Sequence, residues 1–141
     1  MQRRELRAPV LAVDPGRDKC GIAVVAADGR VLYQAVVAAA DIAETVAKVI
    51  SEHEVRTLIL GDRTAAKKVE SALLRANLTL KPVLVDEHRS SEQGRRRYFR
   101  DNPARGWRRL VPVTLQTPPR PYDDCVAIVL AERYMADLKR D

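Results

Sequence analysis

Asp14 closes the short apolar run PVLAVD (9–14), and Pro15-Gly16 and the cations Arg17 and Lys19 follow it closely. A carboxylate at a strand tip beside a turn is either a turn-former or a ligand. Two other acidic positions match it in kind: Glu87, which ends KPVLVDE (81–87), and the pair Asp123-Asp124, which opens the last helical stretch. In parallel α/β sheets ligands bind at the carboxyl ends of the strands, and carboxylates gathered there repel one another unless a cation lies between them. Hard divalent ions such as Mg2+ or Mn2+ take such oxygen donors. Two of them about 3.5–4 Å apart would activate a water and stabilise the leaving oxygen of a phosphodiester.

Each residue also has a plainer role. Asp14 suits a turn, and Asp123 or Asp124 suits a helix N-cap, although a tandem pair leaves one carboxylate free of that task. Glu87 could be half of a surface ion pair. Asp62, ending strand four, is either a fourth acid or a loop residue. His88, beside Glu87, is either an acid-base group or a solvated loop side chain, and His53 sits near a helix C-terminus, where the dipole accounts for it. Cys20 and Cys125 lie in apolar surroundings without C-x-x-C spacing and read as buried free thiols.

The net charge of +6 is confined to one segment. From Arg89 to Arg109 there are eight arginines against Glu92 and Asp101, which leaves the other 120 residues neutral. Arginine's planar fork binds phosphate bidentately and stacks on bases, so the segment points to a nucleic-acid partner. Arg95, Arg96, Arg97, Arg100, Arg108 and Arg109 are the expected phosphate contacts, with Arg17, Lys19, Arg89 and Arg105 beside them. Trp107 either stacks on an unpaired base or anchors the segment to the body.

These residues need a frame. A chain of 141 residues with 46% hydrophobic and 31% charged content suits one soluble domain over 1–141, with an Arg-rich helix and loop at 89–121. No apolar run approaches the roughly 20 residues of a membrane span, and the basic N-terminus lacks the h-region of a signal peptide, so a cytoplasmic protein without membrane contact is expected. CGIAVVAA and VLYQAVVAA flank Asp28-Gly29, a hairpin signal, giving three antiparallel strands with 9–14. DIAETVAKVISEHE predicts a helix with Asp41 as N-cap and Glu44 completing a capping box. RTLILGD, AAKKVESALLRAN and KPVLVDE then read as strand, helix and strand, with parallel pairing. Ser90 with Gln93 would cap a third helix ending near Pro103, residues 103–121 read as a loop or lid, and DDCVAIVLAERYMADL is the closing helix.

With the elements in order, the chain resembles the YqgF group of RuvC-like, ribonuclease H-fold nucleases, assigned to processing of pre-16S ribosomal RNA or to Holliday junction resolution. LAVDPGRDKCGIAVV looks like that family's first hairpin with its D-x-G, TLILGD its fourth strand, VLVDEHRSSEQGRRRYF its D-E-R segment and DDCVAIVLAERYM its acidic C-terminal helix. The resemblance implies a five-stranded mixed sheet with helices on both faces, and Asp14, Glu87 and Asp124 on the metal-holding positions, with Asp123 as the other fit to the last. His88 stands where the family has the Arg of D-E-R, and Gly94-Arg95 replaces its Ala-Arg.

The expected activity is therefore metal-dependent hydrolysis of RNA, in 5′ maturation of pre-16S ribosomal RNA. A DNA junction resolvase is the alternative, and it would favour a two-fold dimer; monomer and homodimer both fit the sequence. A third reading is a non-catalytic module that binds RNA or a transcription complex.

Overall fold

The structure is a computed structural model that describes residues 6–63, 65–88, 90–103, 110, 118 and 120–140. Its first three strands, β1 (Val10–Asp14), β2 (Lys19–Val25) and β3 (Val31–Ala38), form an antiparallel meander. The turn between β2 and β3 is built on Asp28-Gly29. Gly29 takes φ 91°, a region open to glycine, and the Asp28 carboxylate accepts from the Arg30 N–H at 3.0 Å. The chain then alternates through α1 (Ile42–Glu52), β4 (Thr57–Gly61), α2 (Ala66–Arg75) and β5 (Val83–Val85), and ends in α3 (Ser90–Asp101) and α4 (Asp123–Arg140).

The sheet order is β3-β2-β1-β4-β5, with β4 parallel to both β1 and β5. Strand β1 is therefore central and buried on both faces, which is why it reads as an uninterrupted apolar run. Its side chains divide by the strand period of two. Leu11 and Val13, with Ile22, Val24, Leu58 and Leu60, face α1 and α2. Val10 and Ala12, with Ala23, Val25 and Ile59, face α4. Residues Asp124 to Ala131 of α4 are all buried because the helix lies between the sheet and α3. A Cβ at Gly94 of α3 would press into Val126, so that packing distance requires glycine.

Three local expectations are corrected. Asp41 makes no side-chain cap: a 3-10 turn over Ala39–Asp41 already bends its backbone to φ −100°, ψ 4°, away from the extended N-cap form that would aim the carboxylate at the first turn. Strand β5 is shorter than 81–87, because Pro82 has no N–H to donate and β4 ends at Gly61, the partner of Val85. Ser90 lies inside α3, where its N–H donates to the Glu87 carbonyl at 2.9 Å and its hydroxyl meets Arg63, so it caps nothing. The expected loop at 103–121 falls largely outside the described residues. Both cysteines are free and buried, and burial pushes the Cys125 thiol up to about 11. Among the described residues no helix is long and apolar enough to cross a membrane.

Candidate active site

Two glycines bring three acids together around the tip of β1. Asp14 pairs with Gly21 across the β1–β2 ladder, and a Cβ at Gly21 would collide with the Asp123 carbonyl. The first turn of α4 thus rests directly on β2 beside Asp14. On the other side, Val13 pairs with Leu60, so Asp14 and Gly61 are the next residues along two parallel neighbours. A Cβ at Gly61 would collide with the Glu87 carboxyl group. Glycine inside a strand commonly marks such a close approach, and here each one makes room for an acidic partner of Asp14.

Asp14, Glu87 and Asp124 are 3%, 3% and 4% exposed. Asp14 lies within hydrogen-bonding reach of both Glu87 and Asp123. Burial, and then the adjacent Glu87, pushes the Asp14 carboxyl up to about 9, so the pair keeps a proton at neutral pH. Burial also raises Asp123. Among the described residues, Asp14 Oδ1 and Glu87 Oε1 are buried without a donor. Two buried carboxyl oxygens in this relation are reconciled by a shared proton or by a cation.

The remaining acids have other partners. Asp124 accepts from Gln34 Nε2 on β3 at 2.8 Å and from Arg120 Nη1 at 3.1 Å. Tyr122, not Asp123 or Asp124, is the residue before α4 whose carbonyl accepts its first bonds, from the N–H groups of Cys125 and Val126. Exposed Asp62 accepts the Glu87 backbone N–H at 3.2 Å. His88 is exposed; its N–H donates to Asp86 and its carbonyl accepts from Arg133. His53 packs against Tyr33, with ring centroids 5.5 Å apart.

Three residues that the sequence did not single out complete the site. Arg63 donates its backbone N–H to Glu87 Oε2 at 2.9 Å, holds its Nε 3.5 Å from the same oxygen, and reaches Ser90 and Ser91 with Nη2. Gln34 and Arg120 hold Asp124. Arg120 also lies over the Tyr98 ring at 4.9 Å. Arginine two residues past the glycine that ends the strand, as in LILGDR, was the available signal for the first; side chains on an edge strand and a loop gave none for the others. A cavity of about 510 Å3 opens over Asp123, with Arg63 and Arg120 on its rim.

The arginines of α3 differ in freedom. Arg97 is tied to Asp101 at 2.9 Å and to Glu132, with only 16% of its side chain exposed. Arg96 pairs with Glu92 at 3.1 Å on the helix surface, Arg100 is exposed, and Arg95 buries an Nε that has no partner among the described residues. Arg17 and Lys19 are exposed at the turn after β1. Arg89, Arg105, Trp107, Arg108 and Arg109 lie outside the described residues.

No finished arrangement of three or more acidic, histidine or cysteine donors around a metal is present among the described residues. The chemistry of the donors nonetheless suits a hard cation: Asp14 and Glu87 each offer a buried oxygen without a donor, Asp123 stands beside them, and Mg2+ sites commonly use only one or two carboxylates.

Neither protein-family models nor curated protein sequences match this chain. Solved structures do. Thermus thermophilus RuvC in complex with a Holliday junction substrate matches with TM-score 0.56 at 17% identity, over 93% of each chain. A second structure of Thermus thermophilus RuvC matches with TM-score 0.54 at 15% identity, over 92% of this chain and 95% of that one. The yeast mitochondrial Holliday junction resolvase Ydc2 matches with TM-score 0.56 at 11% identity, over 95% and 81%. The fold is thus the RuvC-like form of the ribonuclease H architecture, a five-stranded mixed sheet with helices on both faces.

Proposed function

We propose that this RuvC-like fold carries a divalent-metal-dependent nuclease site formed by Asp14, Glu87 and the acidic pair at the start of α4. The observation that carries this reading is the buried meeting of Asp14 and Glu87, each with an oxygen that lacks a donor, at the carboxyl end of the central strand. An uncompensated pair of this kind is costly to keep for stability alone, and perturbed carboxyls in such a position mark functional sites.

In this reading Asp14 and Glu87 hold Mg2+ or Mn2+, with Asp123 or Asp124 as the third acid. A bound ion would supply positive charge to the attacking water and to the leaving oxygen. Asp14 must give up its proton on loading, so the site takes up metal more readily as pH rises. Arg63 keeps Glu87 in place through its backbone N–H while its side chain stays at the mouth of the cavity, where a substrate phosphate would meet it. Arg120 and Gln34 fix Asp124 beside the same opening. Arg96 and Arg100 on α3, with Arg17 and Lys19 at the β1–β2 turn, offer exposed cations for the flanking backbone.

Sequence resemblance to the YqgF group supports structured RNA as substrate, with 5′ maturation of pre-16S ribosomal RNA as the biological step. A second reading, cleavage of four-way DNA junctions, is supported by the nature of the similar solved structures, one a resolvase and one a junction complex. Labelled structured RNA, single-stranded DNA and a four-way junction, each incubated with Mn2+ or chelator beside Asp14→Asn, test both. Metal-dependent cleavage lost in the variant establishes the nuclease, and the substrate cut chooses between the readings. Binding without cleavage would favour the non-catalytic module.

A further inference from the structure

A second concavity, about 1000 Å3, runs along α2 on the side of the sheet opposite α4. Its apolar lining is formed by buried Ile42 and Val69 with Ala38, Ala39, Ala40 and Ala72 around them. Arg17, Arg63, Lys68 and Arg75 line it against a single acid, Asp18. Lys68, Ala72 and Arg75 recur at helical spacing, so they share one face of α2. The seven steps from Lys68 to Arg75 spread that face over roughly 10 Å of helix. Among the described residues, Arg17, Lys68 and Arg75 form no ion pair; Arg75 Nε meets only its own helix, at the Ser71 carbonyl.

This groove adjoins the candidate active site at one residue. Arg63 lines both cavities, holding Glu87 on one side and forming a wall of the groove on the other. A polyanion that passes Arg63 from the carboxylates would enter a groove lined by Arg17 and the cations of α2. The volume is at the upper end of the roughly 300–1,000 Å3 range of cavities that enclose a small ligand, which suits a short single-stranded stretch. The described lining contains no aromatic side chain for base stacking, so recognition would rest on phosphates, with sugars over the apolar lining.

We propose that this groove along α2 holds a single-stranded segment of the substrate adjoining the scissile phosphodiester, its phosphates on Arg17, Lys68 and Arg75 and Arg63 at the junction with the active site. The inference rests on the nuclease reading for what the strand is, but not for whether it binds.

The test is the affinity of labelled single-stranded oligonucleotide in chelator, measured across salt concentrations for the wild type, Lys68→Ala/Arg75→Ala, and Lys48→Ala, which removes a surface cation of α1. Loss of two single-strand phosphate contacts should reduce the log–log salt slope by about 1.4 and weaken binding about tenfold near physiological salt. Lys48→Ala should leave both unchanged. Ala72→Cys labelled with a bulky maleimide fills the groove without altering charge and should weaken the same binding, with thermal melting confirming the fold of each variant. An unchanged slope in the double variant, an equal loss for blunt duplex, or competition by a nucleoside monophosphate as effective as by oligonucleotide would each overturn the proposal. Because binding is read without metal, absence of cleavage would count against the nuclease reading alone.

Discussion

Glu87 occupies the space that a side chain at position 61 would fill. Strand β4 therefore ends on a residue whose lack of a Cβ sets where the acid lies, and Gly61→Ala is expected to push the carboxyl group away from Asp14. Overpacking of this kind costs about 1–3 kcal/mol. If the site cuts nucleic acid, cleavage should fall at least about 100-fold, more than the stability loss explains. Cleavage assays beside thermal melting check both quantities.

Asp14 should make the metal-free protein less stable as pH rises. Its folded value of about 9 lies above the ordinary 3.8, so between these limits the native state holds more protons than the unfolded chain. The stabilisation is complete at low pH and is lost as pH climbs through that window. Asp123, also raised, acts in the same direction. Melting in chelator from pH 5 to pH 9 should show a falling midpoint, and Asp14→Asn should flatten the slope.

Millimolar Mn2+ or Mg2+ should raise the wild-type midpoint, since a ligand at about 100 times its Kd stabilises the native state by about 2.7 kcal/mol. The shift should be larger at pH 8 than at pH 6, because the ion displaces a proton from Asp14. Asp14→Asn and Glu87→Gln should each abolish it. A shift that survives both variants would place the ion elsewhere.

Removing the Arg63 side chain leaves the buried Glu87 carboxyl with the backbone N–H and the proton held with Asp14, and no cation beside it among the described residues. Arg63→Ala should lower the metal-free midpoint, by an amount consistent with about 1–3 kcal/mol for a charged group that loses its partner. Metal should then restore more stability than it adds to the wild type, since the ion replaces the missing cation. Differential scanning calorimetry with and without Mn2+ reads the difference.

On α3, Arg97 and Arg100 should separate structure from binding. Arg97, held between Asp101 and Glu132, should cost about 1 kcal/mol of stability on truncation and change nucleic-acid affinity little. Exposed Arg100 should behave in the opposite way, with a salt slope reduced by about one contact. Parallel melting and binding titrations of the two alanine variants distinguish them.

The elements were legible because each carries its own period. VLAVD and CGIAVV are apolar runs of strand length, and the apolar positions of IAETVAKVI recur at helical spacing, so tertiary packing agreed with local preference. Asp14 and Glu87 were legible as acids at strand ends. The engagement of Asp124 by Gln34 and Arg120 was not, because it joins a side chain on an edge strand to a loop and leaves no periodic trace. Capping by Asp41 was misread for a related reason: the local pattern fitted a cap, but a preceding 3-10 turn had already set the backbone. The glycines at 21 and 61 did leave a signal, since glycine inside an apolar strand weakens it unless something must come close.

The central place of β1 ties the site to the order in which the chain is made. Its partners across the sheet and above it come from β4 and from α4, so Asp14 meets Glu87 and Asp123 only through pairings far apart in sequence. Such contacts form late and slowly in folding. A chain emerging from the N-terminus can build the hairpin of β1 and β2 early, yet it has no assembled acidic cluster until α4 docks. On the nuclease reading, the protein is then catalytically silent until α4 has been made and has docked, and that helix acts as the safety catch.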